Sequence, residues 1–389
     1  MNDSRPKRIL HIIDSFGSGG AETWLLSCVK FLHDHPGMNM RFDFLASGGK
    51  AGVYDEEVRS YGAVIYYEKY SLKRFGAFKK AFKTILDNNN YSAVHDHQDF
   101  IAGWHFLAGG KSMPAIRIAH LHNPWNFVKN YVSNPLRWFS FKAGRSLMAK
   151  HATAITATSD AVMDEYGYDK APFKAKRVKP AYCGFDVKRF LYDGTAKQVV
   201  CSEFNWNKDI KIILFAGRIG LHEYDSSVNQ KNPGFAFAMA KAMAGEECAF
   251  IFAGHKGEEG NSMEEETRKM GLDQYIKFPG IRNDIPALMS AAGILLFPSL
   301  WEGLGMVAVE AQAAGLKVMV SSAVPAEAFV VDELVQKKAL SAPVNEWCAD
   351  LLSFIKQDQT DRVSYNERVR RSPFSIENSV AYLGQLYKA

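Results

Sequence analysis

The feature that most constrains the fold is a repeated order of short apolar run, loop and helical stretch along the whole chain. Strands that alternate with helices predict βα units, in which helices cover both faces of a parallel sheet. Apolar residues return at helical spacing between the runs, as Trp24, Cys28 and Phe31 do. The strand-like runs are residues 8–13, 40–45, 64–67, 93–95, 116–120 and 154–158, then 211–216, 249–253, 275–278, 293–298 and 317–321.

The length of the chain divides these units between two domains. It has 389 residues, well beyond the ~150 residues of an average domain. Residues 181–190 are irregular and residues 191–209 are polar with few structural signals, before a fresh strand begins at Lys211. We therefore predict two α/β domains. Ligands of such sheets bind beyond the carboxyl ends of the strands, so a cleft between the domains is the expected site.

Basic residues are concentrated in the first half of the chain. The net charge is +5, but residues 1–186 hold 25 Lys and Arg against 17 Asp and Glu, whereas residues 187–389 hold 22 against 25. No acidic residue lies between Asp99 and Asp160. This imbalance suggests that the first half meets an anionic partner, for which nucleic acid, a membrane surface and a phosphorylated substrate are candidates.

Cysteine usage and hydropathy indicate the compartment. The five cysteines are odd in number and form no CxxC pair, so we expect reduced thiols without disulfides or structural zinc. No apolar run approaches the ~18–20 residues of a membrane span. The charged start of the chain lacks the apolar stretch of a signal peptide. We therefore expect a cytoplasmic protein.

The first candidate site is the glycine-rich segment DSFGSGGAET, residues 14–23, directly after the first strand. Gly19 and Gly20 let the backbone approach a ligand, and the following helix N-terminus offers N–H groups to an anion. A dinucleotide fingerprint needs a third glycine, where this chain has Glu22, and an acid after the second strand, where residues 46–48 have none. A dinucleotide site is therefore disfavoured, and a turn without a ligand is the other alternative.

Two cations in the second half are placed to reach a diphosphate. Arg218 follows a strand in FAGRIG, and Lys231 precedes a helix in QKNPGFAFA. Arginine offers phosphate a fixed fork of donors and lysine a compact charge. The alternative interpretation is a pair of solvated surface charges.

The most specific segment is FPSLWEGLGMVAVEAQAAG, residues 297–315. A buried strand leads into a loop with Glu302, and a helix follows over about residues 306–314. Glycines expose N–H groups at that helix N-terminus, which suits phosphate. Glu302 and Glu310 are eight residues apart, and carboxylates accept hydrogen bonds from sugar hydroxyls. A capping acid and a solvated helix acid are the alternative.

These motifs together resemble those of GT-B-fold retaining glycosyltransferases of family 4, also called group 1. The resemblance rests on GSGGAE near the start, GR at 217–218, KN at 231–232, and Glu302 and Glu310 as an E-x7-E pair. YCGFD, residues 182–186, is similar to the interdomain segment of that family. FSIENSVAYLGQLYK, residues 374–388, is similar to its terminal helix, which crosses back onto the first domain.

The family resemblance implies a fold and its division. The fold is GT-B, with two Rossmann-like α/β/α domains facing across a cleft. The acceptor-side domain would comprise residues 1–186 with the terminal helix 374–389, and the domain that binds the nucleotide-sugar donor would comprise residues 187–373.

The resemblance also implies roles for single residues. Gly19 and Gly20 would shape a loop near the donor phosphates. Arg218 and Lys231 would bind the diphosphate and, with Glu302 on the transferred sugar, serve catalysis by stabilising the charge of the leaving group. The other implied donor contacts are Glu310 to the ribose hydroxyls, backbone around Ile281 and Arg282 to the base, and backbone of Gly303, Leu304, Gly305 and Met306 to the phosphates.

One departure from the family pattern concerns the spacing between Arg218 and Lys231. The family usually separates these cations by a handful of residues, whereas LHEYDSSVNQ, residues 221–230, intervenes here. This longer loop weakens the assignment of Lys231 and is a candidate to contact the acceptor.

The first-domain histidine of the family has two candidates, His120 and His122 in IAHLHNPWN. A period of two places both on the same side of an extended segment. The strand-end position favours His122 as the catalytic histidine, with His120 as the other candidate and a core histidine as the alternative. His95 and His97 form a second pair that could suggest a metal, but their strand-end position and the metal independence of the family argue against it. We expect no metal and no cofactor.

Two basic stretches with interleaved aromatic residues suggest a membrane surface. They are YSLKRFGAFKKAFK, residues 70–83, and residues 125–150. Phe75, Phe78 and Phe82 share one helical face, as in helices that lie on anionic membranes. A helix whose Phe face is core and whose Lys face is solvated is the alternative. No nucleic-acid recognition motif is present, so nucleic acid is not an expected partner.

The resemblance predicts the function of the chain. It implies transfer of a hexose-type sugar, with retention, from a UDP- or GDP-sugar to a glycan or lipid-linked acceptor in polysaccharide biosynthesis. The enzyme would act in the cytoplasm, either free or peripherally bound to the inner face of the membrane. The alternatives are a nucleotide-sugar epimerase or hydrolase of the same fold, a non-catalytic nucleotide-sugar or glycan binder, and the disfavoured dinucleotide oxidoreductase.

Overall fold

A computed structural model of the chain contains two compact units. The first is Met1–Phe185 together with Pro373–Ala389, and the second is Asp186–Ser372. The described residues are 6–17, 19–220, 229–245, 247–357 and 361–388.

The first unit alternates strands and helices. The longer strands are almost wholly buried, which explains their near-continuous apolar sequence. In chain order the elements are β1 Lys7–Ile13, α1 Gly20–Asp34, β2 Met40–Ala46, α2 Asp55–Ser60, β3 Ile65–Tyr67, α3 Phe75–Asp87, β4 Tyr91–Asp96, α4 Ala102–Gly109, β5 Ile116–Leu121, α5 Trp125–Tyr131, α6 Pro135–His151, β6 Ala154–Ala157 and α7 Asp160–Glu165.

The second unit repeats this alternation. Its elements are α8 Ala196–Phe204, β7 Lys211–Ala216, α9 Pro233–Met243, β8 Cys248–Ala253, α10 Gly257–Lys269, β9 Ile276–Gly280, α11 Ile285–Ala291, β10 Ile294–Phe297, α12 Met306–Ala313, β11 Lys317–Ser321, β12 Val335–Lys338, α13 Val344–Lys356 and α14 Arg362–Arg371, before the final helix α15 Ile376–Leu386, which belongs to the first unit.

Both units contain a six-stranded, fully parallel sheet of the same topology. The first sheet has the order β3-β2-β1-β4-β5-β6 and the second β12-β11-β10-β7-β8-β9. When the strands of each unit are numbered from one, the first order is 3-2-1-4-5-6. The second is the same order when it is read from the β9 edge, and this is the Rossmann order. The prediction of two Rossmann-like domains is confirmed. The strand order reverses between β1 and β4 and between β7 and β10, and ligands of such sheets bind at this switch point.

Two elements of the second unit were not predicted. Strand β12 is only four residues long and reads VQKK, because it is a partly exposed edge strand paired on one side with β11. Helix α8 lies within residues 191–209, which were predicted to carry few signals. That prediction was wrong, since Val200 and Cys201 are buried on a face of α8 that packs against α11.

Helix α15 is joined to the first unit by specific polar contacts. The indole Nε1 of Trp24 in α1 donates to Ser379 Oγ at 3.0 Å, and that hydroxyl donates to the Tyr182 carbonyl at 2.9 Å. Tyr387 follows α15, and its hydroxyl lies 2.7 Å from His95 Nδ1. Backbone hydrogen bonds link Phe185 to residues 374 and 376 at 3.0 and 2.9 Å.

The aromatic face of α3 is part of the core. Phe78 and Phe82 are buried in the main apolar cluster of the first unit, and Phe75 packs against it. Lys79 and Lys80 on the opposite face are exposed. The interpretation of this apolar face as a membrane-binding surface was therefore wrong, and the alternative of a core face with a solvated basic face is confirmed. All five cysteines are buried and unpaired.

Candidate functional site

The candidate donor residues of the second unit gather at the switch point of its sheet. Arg218 follows β7 by two residues, and the loop with Glu302 follows β10. Lys231 lies just before α9, the helix that follows β7. Because β7 and β10 are adjacent and parallel, their carboxyl ends bring these loops to one edge.

Lys231 and Glu302 form an ion pair. The Lys231 ammonium lies 2.7 Å from Glu302 Oε1, and the two side chains are 22% and 6% exposed. The ammonium also lies 5.0 Å from the centre of the Phe297 ring. Gln230 Nε2 donates to Glu302 Oε2 at 3.3 Å and to the Trp301 carbonyl at 2.9 Å. Both carboxylate oxygens of Glu302 are therefore held by neighbouring side chains.

The segment that carries Lys231 is tied to both strand-end loops. The Asn229 side-chain amide donates to the carbonyls of Ile219 and Gly220 at 3.0 and 2.9 Å. The Asn232 amide donates to the Pro298 carbonyl at 3.1 Å. The position of Lys231 is thus fixed by its own flanks despite the long loop before it. The prediction that this loop contacts the acceptor concerns residues that are mostly, at 221–228, outside the described part of the chain.

Arg218 has no counter-ion within the described part of the chain. Its side chain is half-buried, and no side chain among the described residues forms an ion pair or hydrogen bond with it. Burial lowers the pKa of the Arg218 guanidinium below its ordinary value. An anion beside this group would offset that cost, since charge-assisted hydrogen bonds between arginine and phosphate are strong.

The loop after β10 ends in a residue that requires glycine. Gly305 has φ +97° and caps α12. A Cβ at this position would lie 3.0 Å from Phe297 and 3.2 Å from Val324. Leu304 is buried and anchors the loop. The chain therefore enters α12 at Met306 with the backbone of Gly303, Gly305 and Met306 around the helix N-terminus, where N–H groups lack intrahelical acceptors.

Glu310 lies on α12, one helical turn beyond that N-terminus. Its side chain is half-buried. Burial raises the pKa of the Glu310 carboxyl to about 7, and the positive charges of Arg189 and Lys231 oppose this rise. The carboxyl can therefore change its charge near neutral pH. The strength of Glu310 as a hydrogen-bond acceptor therefore depends on pH near neutrality.

Ile281 and Arg282 follow β9 at the same edge of the sheet. Ile281 is 72% exposed. The Arg282 guanidinium pairs with Glu203 at 2.5 Å and with Asp284 at 2.7 Å, and both carboxylates raise its pKa. Its side chain is therefore engaged within the protein. This geometry is compatible with the prediction of base contacts through the backbone of these two residues.

A close backbone contact at this edge was missed in the sequence. Gly254 follows β8, and a Cβ there would lie 2.0 Å from the Gly217 carbonyl oxygen. Its N–H donates to the Gly280 carbonyl at 2.8 Å, and the Gly217 N–H donates to the Ala253 carbonyl at 2.9 Å. These bonds connect the loops after β7, β8 and β9. The signal was present, since FAG occurs after both β7 and β8.

In the first unit, the glycine-rich loop leads into α1 as predicted. Gly19 caps the helix, and Gly20 is its first residue. The Glu22 carboxylate folds back over this N-terminus. Its Oε2 atom lies only 2.3 Å from the position that a Cβ on Gly19 would take. Burial raises the pKa of Glu22, and the nearby Asp14 adds to the rise. A carboxylate of the protein thus occupies the place where a phosphate could bind the helix.

The two candidate histidines of β5 lie side by side in the first unit. His120 is completely buried, whereas His122, one residue beyond the strand, is half-buried. Their rings stack with centres 4.1 Å apart. His122 is therefore the one that reaches the strand-end surface. Asp99 fixes its backbone by accepting from the His122 N–H at 2.8 Å, and burial raises the pKa of Asp99 to about 6.

These two residues belong to a cluster of five histidines on three adjacent strands. His11 comes from β1, and His95 and His97 from β4 and its end. Burial lowers the pKa of His11 and of His122 to about 3. Ring nitrogens of His11, His95 and His97 approach one another closely, as do those of His97, His120 and His122. The participation of His11 was missed, because it depends on the pairing of β1 with β4, which are far apart in the sequence.

Two family models match the chain. The one described as glycosyl transferases group 1 matches residues 201–372, and the one described as Glycosyltransferase Family 4 matches residues 18–189. Together they cover most of the chain and fall on separate units.

Named relatives and solved structures agree with these matches. The putative glycosyltransferase EpsF of Bacillus subtilis strain 168 is 27% identical over 398 residues, covering 100% of this chain and 97% of EpsF. The capsular polysaccharide biosynthesis glycosyltransferase CapH of Staphylococcus aureus is 24% identical over 310 residues, covering 78% of each chain. The crystal structure of Anabaena HepE in complex with UDP and glucose has a TM-score of 0.75 at 15% sequence identity. The match covers 98% of this chain and 99% of the HepE chain. The last likeness concerns the fold alone.

Proposed function

Because the chain belongs to the group 1, family 4 glycosyltransferases, we propose that it transfers a hexose-type sugar, with retention, from a nucleotide diphosphate sugar to a glycan or lipid-linked acceptor in polysaccharide biosynthesis. UDP-sugars are the first donors to test, since HepE binds UDP, and GDP-sugars are the second. The names of EpsF and CapH support the biosynthetic setting.

The observation that carries the proposal is the Lys231–Glu302 ion pair at the same sheet edge as the half-buried Arg218. A nucleotide diphosphate leaving group gains negative charge as the glycosidic bond breaks. Arg218, the Lys231 ammonium and the N–H groups at the start of α12 can stabilise that charge where it develops. Since these groups supply positive charge themselves, transfer is proposed to need no metal ion.

Glu302 is proposed to bind hydroxyls of the transferred sugar. Its carboxylate is held in place by Lys231 and Gln230, so a sugar would meet a preorganised acceptor. We assign neither Glu302 nor Glu310 the role of a covalent nucleophile, because the two-carboxylate logic of glycoside hydrolases requires a pair that flanks the scissile bond. Glu310 is proposed to bind the ribose hydroxyls.

Two alternatives predict different products. An epimerase or hydrolase of the same fold would convert the nucleotide sugar with no acceptor present. A non-catalytic binder would bind it without turnover. The half-buried Arg218 and the ordered Lys231–Glu302 pair favour catalysis, since cations at this edge can stabilise the charge of a leaving group.

The decisive experiment is a donor panel with purified full-length protein. UDP-glucose, UDP-galactose, UDP-N-acetylglucosamine and GDP-mannose are incubated with and without a membrane extract that contains glycan acceptors, and release of nucleoside diphosphate is measured. Transfer requires acceptor-dependent release with one donor and the α-anomer in the product by NMR. Turnover without acceptor would favour the hydrolase, and binding without turnover would favour the binder.

A surface on α6 supports contact with a lipid-linked acceptor or its membrane. Leu136, Trp138 and Phe139 near the start of α6 are 66%, 40% and 64% exposed. Arg137 and Lys142 lie among them, with Lys142 Nζ 5.1 Å from the Trp138 ring. Exposed apolar residues beside cations are typical of interfacial helices. No helix in the described part of the chain is long and apolar enough to cross a membrane.

Sedimentation with vesicles tests this surface. Binding to vesicles that contain phosphatidylglycerol, and its loss in a Leu136→Ser, Phe139→Ser double variant, would support it. Val53→Ser is the matched control, because Val53 is an isolated apolar residue that is 75% exposed. Equal binding of both variants, or no binding at moderate salt, would contradict the membrane proposal.

A further inference from the structure

The histidine cluster of the first unit contains more imidazoles than the proposed sugar transfer uses. Three adjacent parallel strands, β1, β4 and β5, place five histidine rings on one face of the sheet. Trp24 packs edge-on against His97 and His120, with ring centres 5.9 and 5.5 Å away. Five polar rings in an otherwise apolar core are costly to bury unless their nitrogens are used.

Hydrogen bonds between the rings show which nitrogens are engaged. His97 Nε2 lies 2.9 Å from His11 Nδ1, and His120 Nδ1 lies 3.2 Å from His95 Nε2. His95 Nδ1 in turn lies 2.7 Å from the Tyr387 hydroxyl. One nitrogen of His97 and one of His120 therefore already have partners outside the group of His97, His120 and His122. Of their other nitrogens, His97 Nδ1 is hydrogen-bonded to His122, a bond that a metal ion could replace, and His120 Nε2 has no hydrogen-bond partner among the described residues.

These remaining nitrogens converge with His122. His97 Nδ1 lies 2.9 Å from His122 Nε2. His120 Nε2 is buried and has no hydrogen-bond partner of good geometry among the described residues. One ring nitrogen from each of His97, His120 and His122 lies within 4.8 Å of the other two. A tetrahedral ion with 2.0–2.1 Å bonds needs its ligand nitrogens roughly 3.3 Å apart, so small side-chain shifts would close the site.

We propose that His97, His120 and His122 bind a first-row divalent transition metal, with Zn²⁺ as the reference ion. Imidazole nitrogen is a preferred ligand of Zn²⁺, Cu²⁺ and Ni²⁺. A site of three histidines leaves a fourth position open, and the half-buried His122 gives it access to the surface.

The surrounding residues match the second layer that metal-binding histidines usually have. Such histidines donate the N–H of their other ring nitrogen to a fixed acceptor, which sets the tautomer. His97 Nε2–H would donate to His11 Nδ1, and His120 Nδ1–H to His95 Nε2, while His95 Nδ1–H would donate to Tyr387. In this arrangement each imidazole is neutral, so metal binding to neutral rings requires no net loss of a proton.

The alternative group of His11, His95 and His97 is less suited to a metal. Both nitrogens of His95 are engaged by residues outside this group, Tyr387 and His120, whereas His97 Nδ1 is engaged by His122, a member of the proposed site. His11, His95 and His97 are all buried, so an ion would have no open position. This group also shares His97 with the proposed site, and it is better explained as the support of that site.

Metal titration of the untagged full chain tests the proposal. After treatment with EDTA, the protein is titrated with Zn²⁺ by calorimetry and with Co²⁺ by visible absorption. One equivalent with a tetrahedral cobalt spectrum is expected. His122→Gln, a substitution of a half-buried residue, is expected to weaken Zn²⁺ binding at least about tenfold. Tyr387→Phe, which removes only the outer acceptor, is expected to weaken it by a smaller factor.

His33→Gln is the matched control, because His33 is an exposed histidine of α1 outside the cluster. It is expected to bind like the wild type. The proposal is overturned if the wild type binds no stoichiometric metal, if His122→Gln binds as tightly as the wild type, or if His33→Gln loses as much affinity as His122→Gln. Circular dichroism of each variant identifies a change due to unfolding.

Discussion

Lys231 and Glu302 pair at 2.7 Å near the end of the second sheet, and a closely similar pair exists on the surface of the same unit. There Lys241 lies 2.8 Å from Glu266 and 5.0 Å from the Phe237 ring. Lys231 lies the same 5.0 Å from Phe297. The two lysines differ mainly in the burial of their carboxylate partners, since Glu302 is 6% and Glu266 49% exposed.

This similarity supplies an internal control for the first prediction. Lys231→Ala is expected to abolish sugar transfer, because it removes a phosphate ligand and leaves the buried Glu302 unpaired. The free energy of unfolding should fall by about 1–3 kcal/mol, as for other unsatisfied buried groups. Lys241→Ala should change either quantity little, since exposed pairs contribute about 0–1 kcal/mol. Activity assays and urea denaturation test both, and an active Lys231→Ala would remove Lys231 from the site.

The second prediction concerns Arg218, which has no ion-pair partner among the described residues. Arg218→Ala is expected to weaken UDP binding by about 10–100-fold, the equivalent of losing a charge-assisted interaction of ~1.5–3 kcal/mol. Stability should stay constant or rise, because no described side chain loses a partner. By contrast, Arg282→Ala should lower the free energy of unfolding by up to about 1 kcal/mol, since Glu203 and Asp284 lose their ion-pair partner. Calorimetry with UDP and thermal melts test the contrast, and a destabilised Arg218→Ala would show that the guanidinium is structural.

The third prediction concerns the entry into α12. Gly305→Ala is expected to destabilise the protein by about 1–2 kcal/mol, because an L-residue is strained at φ +97°. Transfer should fall more steeply than stability, since the N–H groups at the start of α12 move with the loop. Gly234→Ala is the control, because a Cβ there meets no atom within 4 Å. That variant lies in α9 and should be neutral or stabilised by up to about 1 kcal/mol. Equal activity of the two variants would contradict the role of the α12 N-terminus.

The fourth prediction concerns the pH dependence of donor binding. The raised pKa of Glu310, about 7, leaves the carboxyl neutral below that value and ionised above it. Ribose hydroxyls donate better to a carboxylate, so UDP-glucose should bind several-fold more tightly as pH rises from one unit below 7 to one unit above. Calorimetry over this pH range tests the effect, and Glu310→Gln should make the affinity for UDP-glucose nearly independent of pH. If the wild type and Glu310→Gln show the same pH dependence, Glu310 is not the titrating group.

Stability should change in the opposite direction. The folded protein holds the Glu310 proton up to about pH 7, whereas the unfolded chain releases it near the ordinary value of 4.5. The free energy of unfolding contributed by this group therefore falls as pH rises between these values. Glu310→Gln should remove that part of the decline in urea denaturation curves.

Local patterns predicted much of the fold and the elements on which several candidate site residues lie. The strand–loop–helix order specified two parallel sheets, and strand ends with cations and carboxylates placed Arg218, Lys231 and Glu302 at one edge. These predictions depend on short-range spacing, which period and turn chemistry report directly. Strand β12 was not predicted because an edge strand with lysines has no apolar run. Helix α8 was not predicted because its apolar face is only a few residues wide.

Long-range pairing could not be predicted in the same way. The return of Glu22 over Gly19, the ion pairs of Arg282 and the approach of Gly254 to Gly217 depend on how loops meet after folding. His11 joined the histidines of β4 and β5 only once the strand order was known, since β1 and β4 are far apart in sequence but adjacent in the sheet. Which partner satisfies a buried polar group is a property of the assembled structure.

Because α15 belongs to the first unit, the second unit is inserted in the sequence between two segments of the first. The first unit needs both ends of the chain, because Trp24, Tyr182 and His95 form hydrogen bonds with residues 379 and 387 of the final segment. The second unit is continuous from Asp186 to Ser372. It can therefore be exchanged as a single cassette between relatives, with cuts at residues 185/186 and 372/373, whereas the first unit can be isolated only by joining its two segments with a linker.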